Sequence, residues 1–155
     1  MTDGTALPLV LLVEDDVVQS ELIERALVEA GLRVNLHCIR DGQSALECLR
    51  RWIAADRSAQ PALVMLDIRL PLLNGIDILR ALRADGGPIP FPIVMLTSSR
   101  LPDDLLEFFD SDAVSYFIKP LGFAELVRLM DTIGGRWFDA SSVSAPQSRQ
   151  ADEQP

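Results

Sequence analysis

Acidic, hydroxyl and basic side chains directly follow the apolar segments of this 155-residue chain. They are Glu14, Asp15 and Asp16 after "LPLVLLV", Asp67 at the end of "ALVMLD", Thr97 and Ser98 in "IVMLTSS", and Lys119 in "VSYFIKP". Crowded carboxylates repel one another unless a cation joins them, and hard oxygen ligands suit Mg²⁺. A lysine and a hydroxyl add the positive charge and the donor that a transferring phosphoryl group requires.

The expected acceptor of that phosphoryl group is a side chain of the protein itself. Neither G-x-x-x-x-G-K-[ST] nor G-x-G-x-x-G occurs in the sequence, so a nucleotide is not the expected phosphoryl source. A carboxylate can act as the nucleophile and form an aspartyl phosphate. Asp67 is the best candidate, because it ends an apolar run and Pro71, Asn74 and Gly75 then turn the chain. Any one of these acids taken singly could instead be a helix N-cap or a turn residue.

Two hydrophobic periods alternate along the chain and predict the elements that position these residues. Strands are expected in "LPLVLLV", "RVNLHCI", "ALVMLD", "IVMLTSS" and "VSYFIKP". Helical stripes are Val18, Leu22, Ala26 and Leu27; Ala45, Leu46, Leu49 and Ile53; Ile78, Leu79 and Leu82; the segment "LPDDLLEFFD"; and Phe123 to Ile133, with a stop at Gly134 and Gly135. Strict alternation predicts an α/β fold, a doubly wound five-stranded parallel sheet whose strands all end at one edge.

Composition excludes several classes of partner. The net charge of −9 disfavours binding to nucleic acid or to an anionic membrane surface. No apolar run approaches the roughly 20 residues that span a bilayer, and the start lacks the pattern of a secretory signal. These features favour a cytoplasmic protein.

The segments that carry these residues resemble the receiver domain of two-component response regulators over residues 7–138. "LLVEDD" resembles the family's acidic pair, "LVMLDIRLPLLNG" its phosphoacceptor segment, "IVMLTSS" its Thr/Ser strand end and "YFIKP" its Lys-Pro signature. The resemblance implies the (βα)5, flavodoxin-like receiver fold. Residues 1–6 are then an N-terminal extension, and residues 139–155, rich in Ser, Ala, Gln and Pro, are expected to be a disordered tail.

The resemblance also implies residue roles. Asp67 is the phosphoacceptor, and Mg²⁺, or Mn²⁺ in its place, is held by Glu14, Asp15, Asp67 and the backbone carbonyl of Arg69. Thr97 and Lys119 bind the phosphoryl oxygens, and the bond from Lys119 to Pro120 is cis. Arg69 and Ser99 tune the lifetime of the acyl phosphate. Tyr116 turns inward as the switch aromatic, although a static, partly buried tyrosine is the alternative.

Two features of the sequence differ from compact receiver domains. Both resemble the single-domain regulators that partner bacteriophytochrome histidine kinases. The stretch around "WIAADRSAQP" is longer than in compact members, and Trp137 and Phe138 follow the last predicted helix. This aromatic pair could anchor a homodimer through the C-terminal segment, or fold back over its own helix. The sequence leaves both interpretations open.

The expected function is that of a stand-alone, single-domain response regulator. It takes a phosphoryl group from a sensor histidine kinase and signals through a protein partner, or passes the group to a histidine phosphotransfer protein. It assists its own phosphorylation and dephosphorylation but is not a turnover enzyme.

Two rival functions fit the sequence less well. An aspartate-nucleophile phosphohydrolase of the haloacid dehalogenase type would need a second acid two positions after the nucleophile, where this chain has Arg69. A degenerate receiver that only binds a partner would lack an acid or the lysine, and none is missing.

Overall fold

A computed structural model describes residues 6–98 and 114–138. The strands are β1 (Leu9–Val13), β2 (Asn35–Ile39), β3 (Leu63–Asp67), β4 (Ile93–Thr97) and β5 (Val114–Ile118). The α-helices are α1 (Val17–Glu29), α2 (Gly42–Ile53), α3 (Gly75–Ala84) and α4 (Phe123–Trp137), with a short 3-10 helix at Arg57–Ala59. The predicted helix in "LPDDLLEFFD", the residues 1–5 and the predicted tail lie outside the described residues.

The strands form one parallel sheet in the order β2-β1-β3-β4-β5. Every residue of β3 and β4 is buried, as expected for strands covered on both faces. Alternate residues of the central strands pack against α2 and α3 on one face and against α1 and α4 on the other. The predicted doubly wound α/β fold is therefore confirmed.

Polar residues at the strand-to-helix turns begin three of the helices. The Asp16 side chain accepts from the backbone N–H groups of Val18 and Gln19 at the start of α1, and the Asp41 side chain accepts from the backbone N–H of Ser44 at the start of α2. Asn74 and Asp77 form a reciprocal capping box at α3. Asp16 thus has the N-cap role that any single acid at such a turn could have had.

The buried face of α1 shares Ala26 and Leu27 with the predicted stripe and adds Ser20 and Ile23. Val18 is 62% exposed, whereas Ile23 is 1% exposed and packs in the core. Since α1 begins at Val17, directly after its N-cap Asp16, Val18 lies in the first turn of the helix. The prediction that Val18 faces the core is wrong.

The last helix does not stop at Gly134 and Gly135, as the sequence predicted, but continues to Trp137. A Cβ at Gly134 would lie 2.5 Å from Leu32 Cδ2, so this glycine allows α4 to pack closely on Leu32, three residues after the end of α1. A Cβ at Gly135 would meet nothing within 4 Å. Close packing, and not a helix end, explains the first glycine.

Two further predictions concern the C-terminal part of the fold, namely the Lys119–Pro120 peptide bond and the aromatic pair Trp137 and Phe138. No cis peptide bond occurs in residues 6–98 and 114–138, so the prediction of a cis Lys119–Pro120 bond is wrong; trans is the intrinsically favoured isomer. Trp137 and Phe138 are half-buried and pack against the α1–α4 core, with the Trp137 ring edge-on to Phe117 at 6.4 Å. The aromatic pair folds back on its own domain.

None of the described helices is long and apolar enough to cross a bilayer. This finding agrees with the hydropathy of the sequence.

Candidate functional site

Three carboxylates from two strand ends meet at the carboxyl edge of the sheet. Glu14 and Asp15 follow β1, and Asp67 is the last residue of β3, the neighbouring strand. One oxygen of each carboxylate lies within 4.8 Å of the others. The predicted convergence of these acids is confirmed.

Burial makes this arrangement costly without a cation. Glu14 is 2% exposed and Asp67 8% exposed, whereas Asp15 is open to solvent. At an effective dielectric constant of about 20, two negative charges at such distances repel by roughly 3 kcal/mol. The site therefore stores electrostatic repulsion that a cation can relieve.

Lys119 supplies part of the opposing charge. Its Nζ donates to Glu14 Oε1 at 2.7 Å and to Asp67 Oδ2 at 3.4 Å. Its backbone N–H donates to the Thr97 carbonyl at 2.6 Å, which extends the β4–β5 ladder to the position from which the ammonium reaches the acids. The prediction that Lys119 lies at this edge is confirmed, and its shorter contact is to Glu14 rather than to Asp67.

The loop after β3 holds Asp67 in place. The backbone N–H of Arg69 donates to Asp67 Oδ1 at 3.3 Å, and the N–H of Gly75 donates to the Ile68 carbonyl at 2.8 Å. A Cβ at Gly75 would lie 2.6 Å from the Asp67 carbonyl oxygen and 2.8 Å from Met95 Cε. Only glycine lets α3 begin this close to the end of β3.

Glu14 has a perturbed acidity. Burial raises the pKa of its carboxyl above the ordinary value of 4.5, and the nearby Asp67 charge acts in the same direction. The hydrogen bond from Lys119 and the backbone N–H of Asp16, which lies 3.2 Å from Glu14 Oε2, lower the pKa in part. In this environment the ionised form needs positive charge close by.

For the remaining predicted site residues the structure gives a position for Thr97 and Tyr116 but not for Ser99. Thr97 is 4% exposed at the end of β4, next to β5. Tyr116 on β5 is partly buried against the α2–α3 core, a position that suits both the switch and the static interpretation. Ser99 lies outside the described residues, and the orientation of the Arg69 carbonyl toward a metal stays a prediction.

The donor set fits a hard divalent cation. Three carboxylates offer one oxygen each, and Asp15 is open to water, so a bound ion could keep several water ligands. Mg²⁺ and Mn²⁺ both accept such oxygen ligands. Glu14, Asp15 and Asp67 are the residues that would hold it.

Sequence analysis missed Arg40 and Ser20, which support the acidic loop that carries Glu14, Asp15 and Asp16. Arg40 Nη1 donates to the Glu14 carbonyl at 3.2 Å and to Ser20 Oγ at 2.7 Å. Arg40 follows β2 and is 26 residues from Glu14, so no local pattern reveals the contact. The only available signal was a basic residue at a third strand end of the same sheet edge.

Comparison with known proteins identifies the family. A family model described as "Response regulator receiver domain" matches residues 10–131. The chain belongs to this family. The sequence-based assignment to the response regulator receivers is thus confirmed.

Relatives of this receiver include a probable methanogenesis regulatory protein, FilR2 of Methanothrix harundinacea (strain 6Ac). FilR2 is 36% identical over 138 residues, which cover 89% of this chain and 88% of the relative.

Three solved structures similar to this receiver concern phytochrome signalling or metal binding. The phosphorylated cyanobacterial phytochrome response regulator RcpA has a TM-score of 0.71 and 26% identity, covering 89% of this chain and 99% of that chain. The Mn²⁺-bound form of response regulator Rcp1 has a TM-score of 0.69 and 26% identity, covering 88% and 98%. The bacteriophytochrome response regulator AtBRR has a TM-score of 0.64 and 30% identity, covering 88% and 97%.

Proposed function

We propose that this receiver acts as a single-domain response regulator, which accepts a phosphoryl group from a phosphohistidine of a sensor kinase on Asp67. The observation that carries the proposal is the meeting of Glu14, Asp15, Asp67 and Lys119 at one sheet edge. Membership of the receiver family and the structural similarity to phosphorylated RcpA support it.

In the proposed reaction a carboxylate oxygen of Asp67 attacks the phosphorus atom of the phosphohistidine. A new O–P bond forms, the P–N bond to the imidazole breaks, and the electron pair returns to the ring nitrogen of the donor. Lys119 reaches Asp67 already, so its ammonium can move from the carboxylate to a phosphoryl oxygen as negative charge gathers there. Thr97, on the neighbouring strand, supplies a hydroxyl donor to another phosphoryl oxygen.

The proposed cofactor is Mg²⁺, with Mn²⁺ as a substitute. When bound, the ion neutralises the charge of the carboxylates and of the transferring phosphoryl group. Glu14, Asp15 and Asp67 would hold it together with the backbone carbonyl of Arg69. Similarity to Mn²⁺-bound Rcp1 and the three clustered carboxylates support this assignment.

The proposed partners follow from the regulators that this chain is similar to. RcpA and AtBRR are phytochrome and bacteriophytochrome response regulators, which supports a bacteriophytochrome histidine kinase as the phosphoryl donor in the cytoplasm. Output passes to a protein partner or to a histidine phosphotransfer protein, and not to nucleic acid or a membrane, because the net charge is −9.

Homodimerisation through Trp137 and Phe138 stays a prediction. Both side chains already contact their own core, so we propose that the pair first closes the α1–α4 face. A dimer would have to use what remains exposed of these rings.

The proposed receiver is not a turnover enzyme. Arg69 occupies the position where a phosphohydrolase with an aspartate nucleophile would carry its general acid, and its backbone N–H binds Asp67 Oδ1. Hydrolysis of the acyl phosphate then regenerates Asp67 without a dedicated proton donor at this position.

The proposal is tested by incubating the full chain with acetyl phosphate and Mg²⁺ and measuring its intact mass. We expect a gain of one phosphoryl group that is lost in Asp67→Asn and kept in Asp56→Asn, a matched change at an exposed aspartate. No gain in a folded wild-type chain would contradict the proposal.

A further inference from the structure

We infer that Arg40 is a positioning residue for the divalent metal, although it touches neither the metal ligands' carboxylates nor the phosphoacceptor. The inference rests on the proposed function, since it concerns the metal site of that reaction. Arg40 follows β2, the edge strand of the sheet, which contributes none of the three clustered carboxylates.

One nitrogen of Arg40 makes both contacts. Nη1 donates to the Glu14 backbone carbonyl at 3.2 Å and to Ser20 Oγ at 2.7 Å. Ser20 is 5% exposed, and its hydroxyl donates in turn to the Val17 carbonyl at 2.9 Å. The guanidinium therefore joins the end of β1 to the first turns of α1.

These two anchor points bracket the acidic loop. Asp15 lies between Glu14 and Val17, is exposed, and offers one of the three clustered carboxylate oxygens. The second backbone bond to this loop also comes from β2, because the Glu14 N–H donates to the Ile39 carbonyl at 3.0 Å. Residues at the end of β2 thus bind both the N–H and the carbonyl of Glu14, and so fix the backbone position from which Asp15 extends.

Repulsion explains why the loop needs such an anchor. Glu14, Asp15 and Asp67 are drawn together, and Asp16 adds a further negative charge beside them. Repulsion between these like charges favours a movement of the loop away from β3. A hydrogen bond from a charged donor to the loop backbone opposes that movement and lowers the reorganisation required when the metal binds.

The direction in which Mg²⁺ affinity changes when Arg40 is removed distinguishes a positioning role from a purely electrostatic one. The guanidinium is a positive charge near a cation site, so by charge alone its removal would tighten Mg²⁺ binding. By positioning, its removal weakens Mg²⁺ binding. The two explanations give opposite results for one substitution.

The experiment is a Mg²⁺ titration of the full chain by calorimetry, with amide NMR shifts of Glu14 and Asp15 as a second readout. For Arg40→Met we expect the Mg²⁺ dissociation constant to rise about three- to ten-fold. Arg40→Lys keeps a charged donor and should restore affinity to within about two-fold of wild type. Arg33→Gln, at an exposed arginine before the other end of β2, is the matched control and should bind as wild type does.

Ser20→Ala and the double variant complete the test. Ser20→Ala should weaken Mg²⁺ binding in the same direction, and adding Arg40→Met should weaken it by less than the sum of the separate effects, because both remove one bridge.

Unchanged or tighter Mg²⁺ binding by folded Arg40→Met would overturn the inference, as would a fall in melting temperature with no change in Mg²⁺ affinity. Failure of the proposed function looks different, because wild type would then bind Mg²⁺ and Arg40→Met would bind it less tightly, yet neither would be phosphorylated.

Discussion

Lys119 is the residue on which the charge balance of the site depends. Its side chain is 14% exposed and contacts Glu14 and Asp67 together, so one ammonium faces two buried carboxylates. Phosphorylation of Asp67 would require this ammonium to divide its hydrogen bonds differently. The Lys119 ammonium therefore offsets part of the repulsion between these two carboxylates.

Asp15 should contribute to Mg²⁺ binding at the expense of stability. In Asp15→Asn we expect the Mg²⁺ dissociation constant to rise about ten-fold or more, because a charged oxygen ligand is lost. Without Mg²⁺ the variant should melt about 2 °C higher than wild type, since repulsion within the cluster decreases. Thermal unfolding with and without Mg²⁺ measures both effects, and a lower melting temperature in EDTA would contradict the electrostatic explanation.

The raised pKa of Glu14 predicts the sign of a pH effect in the metal-free protein. When a folded-state pKa lies above the unfolded value of about 4.5, the folded state binds the proton more tightly. The stabilisation is then complete below about pH 4.5 and is lost as pH rises through the folded pKa.

Urea unfolding in EDTA between about pH 4 and pH 8 measures this effect. Glu14→Gln should remove the contribution of Glu14 to the pH dependence of the free energy of unfolding, because the amide does not titrate. The plot of this free energy against pH should then be flatter than for wild type. Identical pH dependence in wild type and Glu14→Gln would contradict the assignment.

At the scale of secondary structure, the contact between α1 and α4 depends on one glycine. Gly134→Ala should destabilise the protein by about 1–3 kcal/mol, because the added methyl group meets Leu32, which is 3% exposed and has little room to move. Gly135→Ala lies next to it in the same helix with open space around it, and should stabilise the protein by roughly 0.5–1 kcal/mol. Chemical denaturation measures both, and equal effects would contradict the packing explanation.

The elements differ in how well the sequence predicts them. β1, β3 and β4 are continuous apolar runs, and the acids that follow them are placed correctly because parallel strands end at one edge. The predicted helix stop at Gly134 is wrong, because a glycine needed for close packing and a glycine that ends a helix look alike in one sequence.

The contacts that refine the site lie beyond what a sequence pattern contains. Lys119 binds Glu14 across 105 residues, and Arg40 binds it across 26. Periodicity indicates which edge such side chains reach, but the choice of partner depends on side-chain geometry after folding. For this reason the sequence predicts the clustered acids and Lys119, but neither their hydrogen bonds nor the contacts of Arg40 and Ser20.

On the scale of the whole molecule, the C-terminal aromatic residues complete the α1–α4 face. Trp137→Ala should lower the free energy of unfolding by about 2 kcal/mol, less than a fully buried tryptophan would cost, because the half-buried ring contacts Phe117 and the core. Light scattering should give the same molar mass for wild type and variant if the ring serves its own domain. A concentration-dependent dimer that disappears in Trp137→Ala would support the homodimer instead.

The most direct test of the phosphoacceptor is a crystal structure of the full chain with beryllofluoride and Mg²⁺. We expect the adduct on a carboxylate oxygen of Asp67, Mg²⁺ beside Asp15, and Lys119 Nζ moved from Glu14 to a fluoride. An adduct on another residue, or none at Asp67 with the fold intact, would contradict the assignment.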